Sequence, residues 1–591
     1  MLTFSFRRAA LMTLGLVATG TLADSRAAPS VRVVAYTGQQ APGAAPGVTF
    51  RGFGAASING RGEVVFRADV VGPGVSASNS IGLWRDEPGR VMLLARAGQQ
   101  AAGLPQGERY WFDLNAAQFA FLGPDGESVL VSKTSSDGIG PTGSAAWVAR
   151  GGALTPIARS GDPAPFIPGA SFDPEFVGYP MMLDRGLGLQ FSARLIDASS
   201  PWSSTGALYR VHEGATSLIV GIGGVVPGMS GQRFTSFHTW QSFPDNPGRV
   251  LLPVSIGPPG EFFGDRAFLA GPVEQLLALA SPVAGQAAPG GPSGVTYLTF
   301  YDARPITGNR LAILAKVEGG PITQENHKRV YVGPPDALEL ALEDGDEAPG
   351  MPAGSVFTSV SPHFLSDGGA YVFAETRTPG SPDVHSYSLW RLGADRSLAP
   401  MIFSGQAAPS VPGAPDARFG RPSDGLFTPV LLFNGSPEFA FSTQLHGPSI
   451  TPALNSESFW FARTPFDHEI LIRAGDTLTL PNGQTKAILS LTSDDAPFTS
   501  ARAWNGRRQL VLRARFLDHT HAVLVVSVPQ DSATCAADAN ADCGVDFRDL
   551  VLVLSAFGAQ PGPGGPGDLN LDGVVDFLDL NLVLATFGSA C

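Results

Sequence analysis

The sequence predicts a mainly β chain, an eight-bladed β-propeller with a small α-helical module after it; seven blades is the runner-up count. Three observations point there. One turn motif recurs about every sixty residues through most of the 591-residue chain. Each period offers four short β segments and no amphipathic helix. After Gln530 the composition changes abruptly and the chain turns acidic.

Composition sets the outer bounds. Hydrophobic residues make up 43% of the chain and charged ones 15%, enough apolar surface for a large buried core. Gly 72 and Pro 50 mark a chain rich in turns yet short of low-complexity disorder. A formal charge of −13 and the scarcity of lysine leave no basic run, so nucleic acid is not an expected partner.

Residues 1–28 read as a signal peptide. Arg7 and Arg8 form a positive start, Ala9 to Ala23 an uncharged apolar stretch, and Ala23 and Ala27-Ala28 offer small-residue cleavage sites. The stretch is too short for a comfortable bilayer span, and Asp24 follows it. No later run is apolar enough to cross. The mature protein is therefore expected to be exported, extracellular or surface-associated, with no transmembrane segment after signal cleavage.

The propeller is expected over residues 31–529. Its first marker is a Gly followed four residues later by Pro, as in Gly38 with Pro42, Gly223 with Pro227, Gly285 with Pro289 and Gly345 with Pro349. Degenerate copies start at Gly98, Gly161, Gly405 and Gly475, giving spacings of 60, 63, 62, 62, 60, 60 and 70. The second marker is a turn opening on Asn, clearest at Asn59-Gly-Arg-Gly62 and again at Asn434, after which residues alternate as in a strand. The third is aromatic: Trp84, Trp147, Tyr209, Phe268, Tyr331, Trp390 and Trp460.

In the first unit the strands are expected near 52–58, 63–70, 80–85 and 90–97. Four strands per unit, repeated without helices, fit a propeller better than separate sandwiches, because sixty residues alone bury too little surface. The last unit offers Thr499–Trp504, Gln509–Phe516 and Ala522–Val528, one strand short. Val31–Thr37 is expected to supply the fourth strand and close the ring.

These units resemble the tandem-repeat secreted bacterial proteins named for an NxxGxxAFxxxL motif. Asn59, Gly62, Val65, Phe66 and Val70 fit that pattern, while Pro437 and Arg508 depart from it at the Gly place. The resemblance implies a repeat fold and surface attachment through interchangeable C-terminal modules. It brings no reaction.

Residues 531–591 form the second domain. Asp568, Asn570, Asp572, Asp576 and Asp579 stand at places 1, 3, 5, 9 and 12 of a loop, with the Val574 carbonyl at place 7. That is the spacing at which a 12-residue EF-hand-type loop wraps Ca²⁺. Asp538, Asn540, Asp542, Gly544, Asp546 and Asp549 repeat it, and an apolar helical stretch follows each loop. The first of the two Ca²⁺ sites is expected to be degraded, because Cys543 stands where Gly573 gives the second loop its sixth-place glycine.

One helix per loop, duplicated, resembles a dockerin. The resemblance implies a calcium-dependent anchor with a cohesin-like or cell-surface partner. The paired hydroxyls with which cellulosomal dockerins meet cohesin are absent, Phe547-Arg548 and Phe577-Leu578 taking their places. All three cysteines lie in this domain, which suits a disulfide in an exported protein. Cys535–Cys591 is the favoured pair and Cys535–Cys543 its rival.

Catalytic motifs are sparse. The chain has no Gly-x-Ser-x-Gly elbow and no Cys-x-x-Cys, and His468-Glu469 lacks a second His. Gly562–Gly567 matches GxGxxG only as a proline-rich linker, and His519-Thr-His521 reads as a polar turn. Innermost strands should line the channel, where Asp113, His238, Asp302, His363, Asp424 and Asp494 form a candidate ligand site. Tyr110, Trp111 and Trp240 are candidate platforms for sugar rings.

The expectation is a non-catalytic binding or display protein tethered by its tail, with polysaccharide as the candidate ligand. The alternative is an extracellular hydrolase or lyase acting on polysaccharide.

Overall fold

The computed structural model describes residues 29–588 except 113–119, 123–125, 139, 151–152, 174–180, 185–187, 198–199, 213, 238–240, 244–245, 260–263, 273–277, 280–283, 291, 307, 325, 362–369, 379–385, 394–395, 421–429, 434–437, 465–466, 494–502, 529–536, 540–544, 562–565 and 571–572. The signal-peptide segment 1–28 thus lies outside the described residues. None of the described helices is long and apolar enough to cross a membrane.

Eight antiparallel sheets follow one another along the chain as the blades of a propeller. In the first blade β2 (Thr49–Ile58), β3 (Val64–Val71), β4 (Ile81–Glu87) and β5 (Arg90–Arg96) pair in sequence order. The seams between blades are the cores. At the seam of the first two blades, Ile81 and Leu83 meet Tyr110, Leu130 and Trp147. Trp84, on the opposite face, packs toward the last blade. Strand alternation thus gives each blade two apolar faces, as a ring of stacked sheets requires.

The ring closes through both ends of the chain. β1 (Ser30–Tyr36) is the outer strand of the last blade, antiparallel to the strand His521–Ser527, with Ser30 opposite Ser527 and Tyr36 opposite Ala522. Arg32 also reaches the first blade, where Nη1 meets Asp86 Oδ2 at 2.6 Å. The inner strand Thr485–Thr492 of the last blade begins earlier than expected; of the expected strand 499–504, residues 499–502 lie outside the described residues and Trp504 bridges Leu510. A short hairpin, Thr477–Thr479 against Thr485–Ala487, opens this blade just after Gly475.

The repeat glycines have one structural job. Every one from Gly38 to Gly475 has a positive φ, between 80° and 95°, which only glycine adopts without strain. Each N–H donates to the first strand of the next blade, as Gly38 does to Phe50 at 2.8 Å and Gly345 to Phe357 at 2.7 Å. The aromatic marker supports the same turn from below. Trp84 Nε1 donates to the Pro42 carbonyl at 3.0 Å and Trp147 Nε1 to that of Ala102 at 2.8 Å. Buried indoles need such an acceptor; in two later blades Trp390 and Trp460 find it instead in Ser388 and Ser458 of their own strands, each at 2.8 Å.

In four blades the innermost strand is split into two pieces that pair with the same neighbour. In the second blade, Trp111 pairs with Lys133 and Ala120 with Leu130. Residues 113–119 between these pairs lie outside the described residues.

The C-terminal domain has two loop–helix units around its own core of Ala537, Ala539, Val545, Val553, Val575 and Val583. The helices Phe547–Ala556 and Phe577–Ala585 start identically: Asp546 and Asp576 cap them, and Asp549 and Asp579 complete capping boxes. The units exchange backbone bonds, Gly558 to Val575 at 2.8 Å and Gly588 to Val545 at 2.7 Å.

Candidate functional site

Of the six channel residues nominated by sequence, Asp302 is described; Asp113, His238, His363, Asp424 and Asp494 lie outside the described residues. Asp302 sits at a bulge of the strand Thr296–Ile306. Its Oδ1 accepts from the Ala303 N–H at 2.8 Å and its Oδ2 pairs with Arg304 at 3.1 Å. Burial raises its pKa despite that arginine. An adjacent guanidinium and a local amide are structural satisfaction, and they give the carboxyl no substrate-facing role by themselves.

The described geometry points elsewhere on the inner wall. Tyr110 and Trp111 are neighbours on one strand and face opposite ways. Tyr110 is 3% exposed, its ring edge-on to Trp147 at 5.1 Å and its hydroxyl accepting from Ala102 N–H at 3.0 Å. Trp111 is half-buried and lines two cavities at the seam of the first and second blades.

One cavity, of about 350 Å³, is walled by Asn79, Arg96, Gln99, Arg109 and Ser135. The other, of about 630 Å³, is walled by Arg51, Asp69, Ser76, Ser80 and Phe112. Arg96 is held in place by Asn79, Nε donating to its carbonyl at 2.6 Å and Nη2 to Oδ1 at 3.4 Å. Arg109 Nη1 donates to the Gly98 carbonyl at 2.7 Å. Asp69 is the one carboxylate among the described lining residues, 4.0 Å from Arg51. An indole between two clefts set with guanidinium, amide and hydroxyl groups can stack on one flat face and hydrogen-bond around it. Sequence reading picked out Trp111 but none of the arginines, whose convergence depends on two blades meeting. Trp240 lies outside the described residues.

In the acidic loops, Asn540, Asp542, Gly544 and Asp572 lie outside the described residues, as do Cys535, Cys543 and Cys591. Among the described residues no three His, Cys, Asp or Glu side chains converge as a metal site. The second loop nevertheless fits a cation on two counts. Asp568 and Asp579 are 3% and 0% exposed, and two buried carboxylates in so small a domain repel each other and cost desolvation. Gly573 makes the left-handed turn, φ 91°, that such a loop needs at its sixth place. Asp579 Oδ1 accepts from Leu569 and Asn570 N–H at 2.6 and 3.0 Å, and Asp568 Oδ2 from Gly573 N–H at 2.9 Å.

The other motifs are structural. His519 stands on a turn, its Nδ1 accepting from Arg515 at 2.7 Å. His468 is buried against Phe419 and Phe441, and burial lowers its pKa to about 4.

A family of unknown function, DUF7453, matches residues 17–115 and 270–535, more than half of the chain. No curated protein matches. Similar solved structures include the β-propeller domain of the Trilobed protease from Pyrococcus furiosus, at 8% identity and TM-score 0.29 over 72% of this chain and 97% of that one. The Dos1 propeller is similar at 9% identity and TM-score 0.33, over 80% and 91%. A PL25 ulvan lyase is similar at 9% and 0.29, over 69% and 91%. Likeness this distant carries no weight for activity, and the blade count rests on the strand pairings.

Proposed function

The chain belongs to that family of unknown function, DUF7453, and since membership brings no reaction with it, we propose that it is an exported binding or display protein. Its propeller takes a polysaccharide chain at the seam of the first two blades, and its acidic tail serves as a calcium-dependent, dockerin-like tether. The observation that carries the ligand reading is Trp111 between two clefts lined by Arg51, Arg96, Arg109, Asn79 and Gln99. Sugar rings offer an apolar face to an indole and hydroxyls to the groups around it. The three arginines favour an anionic polysaccharide.

For the tether, the duplicated loop–helix unit and the buried Asp568 and Asp579 support Ca²⁺ as the resident ion, with a cohesin-like or surface partner. Asp576 and Asn570 would complete the described ligand set.

Affinity electrophoresis of the mature protein through gels containing acidic or neutral polysaccharides tests the ligand reading, with reducing ends assayed in parallel. Retardation by an acidic polymer should fall at least about tenfold in Trp111→Ala, as loss of one stacking platform predicts. Retardation that Trp111→Ala leaves untouched would move the site. Release of reducing ends or unsaturated sugar products would make the protein a hydrolase or lyase instead.

A further inference from the structure

An arginine of the propeller meets the first acidic loop. Arg507 stands on the turn that opens at Asn505, where Asn505 Oδ1 accepts from Arg507 N–H at 3.0 Å and Gln509 N–H at 2.9 Å. Asn505 Nδ2 donates to the Asn59 carbonyl at 2.7 Å, tying this turn to the matching turn of the first blade. The Arg507 side chain thus starts from a fixed base. Its Nη2 donates to the carbonyl of Ala539, the second residue of the loop. Ala539 is 1% exposed and belongs to the core of the C-terminal domain.

The loop's first and twelfth carboxylates, Asp538 and Asp549, are 9% and 0% exposed. Burial works against the charged guanidinium and lowers its pKa, as does Arg61, while the charges of Asp538, Asp549 and Glu63 favour it. Asp549 Oδ2 also accepts from the Asp546 N–H at 2.8 Å, as Asp579 Oδ2 does from Asp576. The second loop has Gly573 at its left-handed turn, and the first has Cys543 at that place. A side chain there is strained if the same turn is made. The first loop is therefore the poorer calcium loop and the one supplied with an internal cation.

We propose that in the full chain the first loop is the seat of Arg507 and not a calcium site, so that it clasps the C-terminal domain onto the propeller mouth and leaves calcium to the second loop. A guanidinium brings both a positive charge and a fork of donors; here it donates to the Ala539 carbonyl, and Asp538 and Asp549 stand close enough for their charges to favour it. The tether is then held in a set orientation instead of trailing from the linker.

Hydrogen exchange of the full mature chain in chelator tests the clasp, with wild type compared to Arg507→Ala and Arg507→Lys. In Arg507→Ala, exchange across residues 537–549 and 503–509 should rise about tenfold or more, while the seams of the middle blades stay protected. Lysine should restore protection only in part, having no fork. Calcium titration should find one ion in wild type and a second, weaker one in Arg507→Ala. Unchanged exchange in Arg507→Ala overturns the proposal, and so do two ions bound by wild type with residues 537–549 still protected. If Arg507→Ala does not fold, Asp538→Asn removes the carboxylate charge that favours the guanidinium, and no change in exchange there overturns the proposal equally. The exchange arm is independent of whether the second loop takes calcium, so the clasp and the tether reading fail separately.

Discussion

Asp344 shows how a repeat tolerates one residue that does not suit it. It immediately precedes the turn glycine Gly345, where the other blades have Thr37, Ala97, Ser160, Ile222, Ala284, Ser404 and Ala474. It is 3% exposed, and its Oδ1 accepts from the Val360 N–H at 2.9 Å. Burial raises its pKa from 3.8 to about 7, with the Val360 amide and Lys328 opposing the shift. A carboxyl whose pKa is raised on folding stabilises while protonated, fully below the unfolded value. That contribution is lost as pH climbs from 3.8 through about 7. Asp344→Asn keeps the acceptor and cannot ionise. It should raise stability by about 2 kcal/mol at pH 8 and by almost nothing at pH 4. Urea midpoints at the two pH values check this, and an equal gain at both would assign the effect to packing. Arg508 is a second misfit, holding φ 55° at the glycine place of the Asn505 turn. Its bidentate contacts to Glu438, at 2.6 and 2.7 Å, offset that strain.

Between residue and molecule, the loop–helix unit repeats a local design that the sequence shows almost completely. Asp546 and Asp576 cap their helices as the spacing requires, and Asp549 and Asp579 return to the cap. Calcium should act through the second unit. Asp579→Ala removes a buried carboxylate that holds the Leu569 and Asn570 amides and closes the capping box. It should abolish the calcium-induced rise in thermal stability of the C-terminal domain and cost about 1–3 kcal/mol without metal. Differential scanning calorimetry with calcium and with chelator reads both effects. A rise that survives in Asp579→Ala would place the ion elsewhere.

The blades were similarly legible where turn chemistry recurs. Gly38 and its seven counterparts mark the crossings, and Trp84 marks the strand beneath one. What could not be read were departures from the period. The 70-residue spacing from Gly405 to Gly475 spans the helix Pro452–Asn455, which no turn marker announces. The clefts at Trp111 and the reach of Arg507 were invisible for a different reason. The first depends on two neighbouring blades packing together, the second on the C-terminal domain folding back onto the last blade.

Closure is the property on which the whole molecule depends. β1 contributes a full strand to the last blade, and Thr37 N–H donates to the His521 carbonyl at 2.9 Å. Arg32 on β1 pairs with Asp86, 1% exposed, in the first blade. Removing residues 29–37 should leave His521–Ser527 as an open edge and Asp86 as a buried carboxylate without that arginine. The truncated chain should melt several degrees lower and aggregate at concentrations where the parent is monomeric. Register offers a sharper test than deletion. Ser30 lies opposite Ser527, so the start of β1 stands beside the end of the strand it pairs with. A chain that begins at Gly38, ends at Val528 and has residues 30–37 appended through a two-residue hairpin turn can rebuild the same antiparallel pair. It should recover the melting temperature and monomeric state of a chain spanning residues 29–528. If the appended strand restores neither while the deletion harms both, the N-terminal segment stabilises through contacts other than ring closure. Rescue by the permuted strand would show that it is the pairing, and not the chain end that supplies it, that keeps the propeller shut.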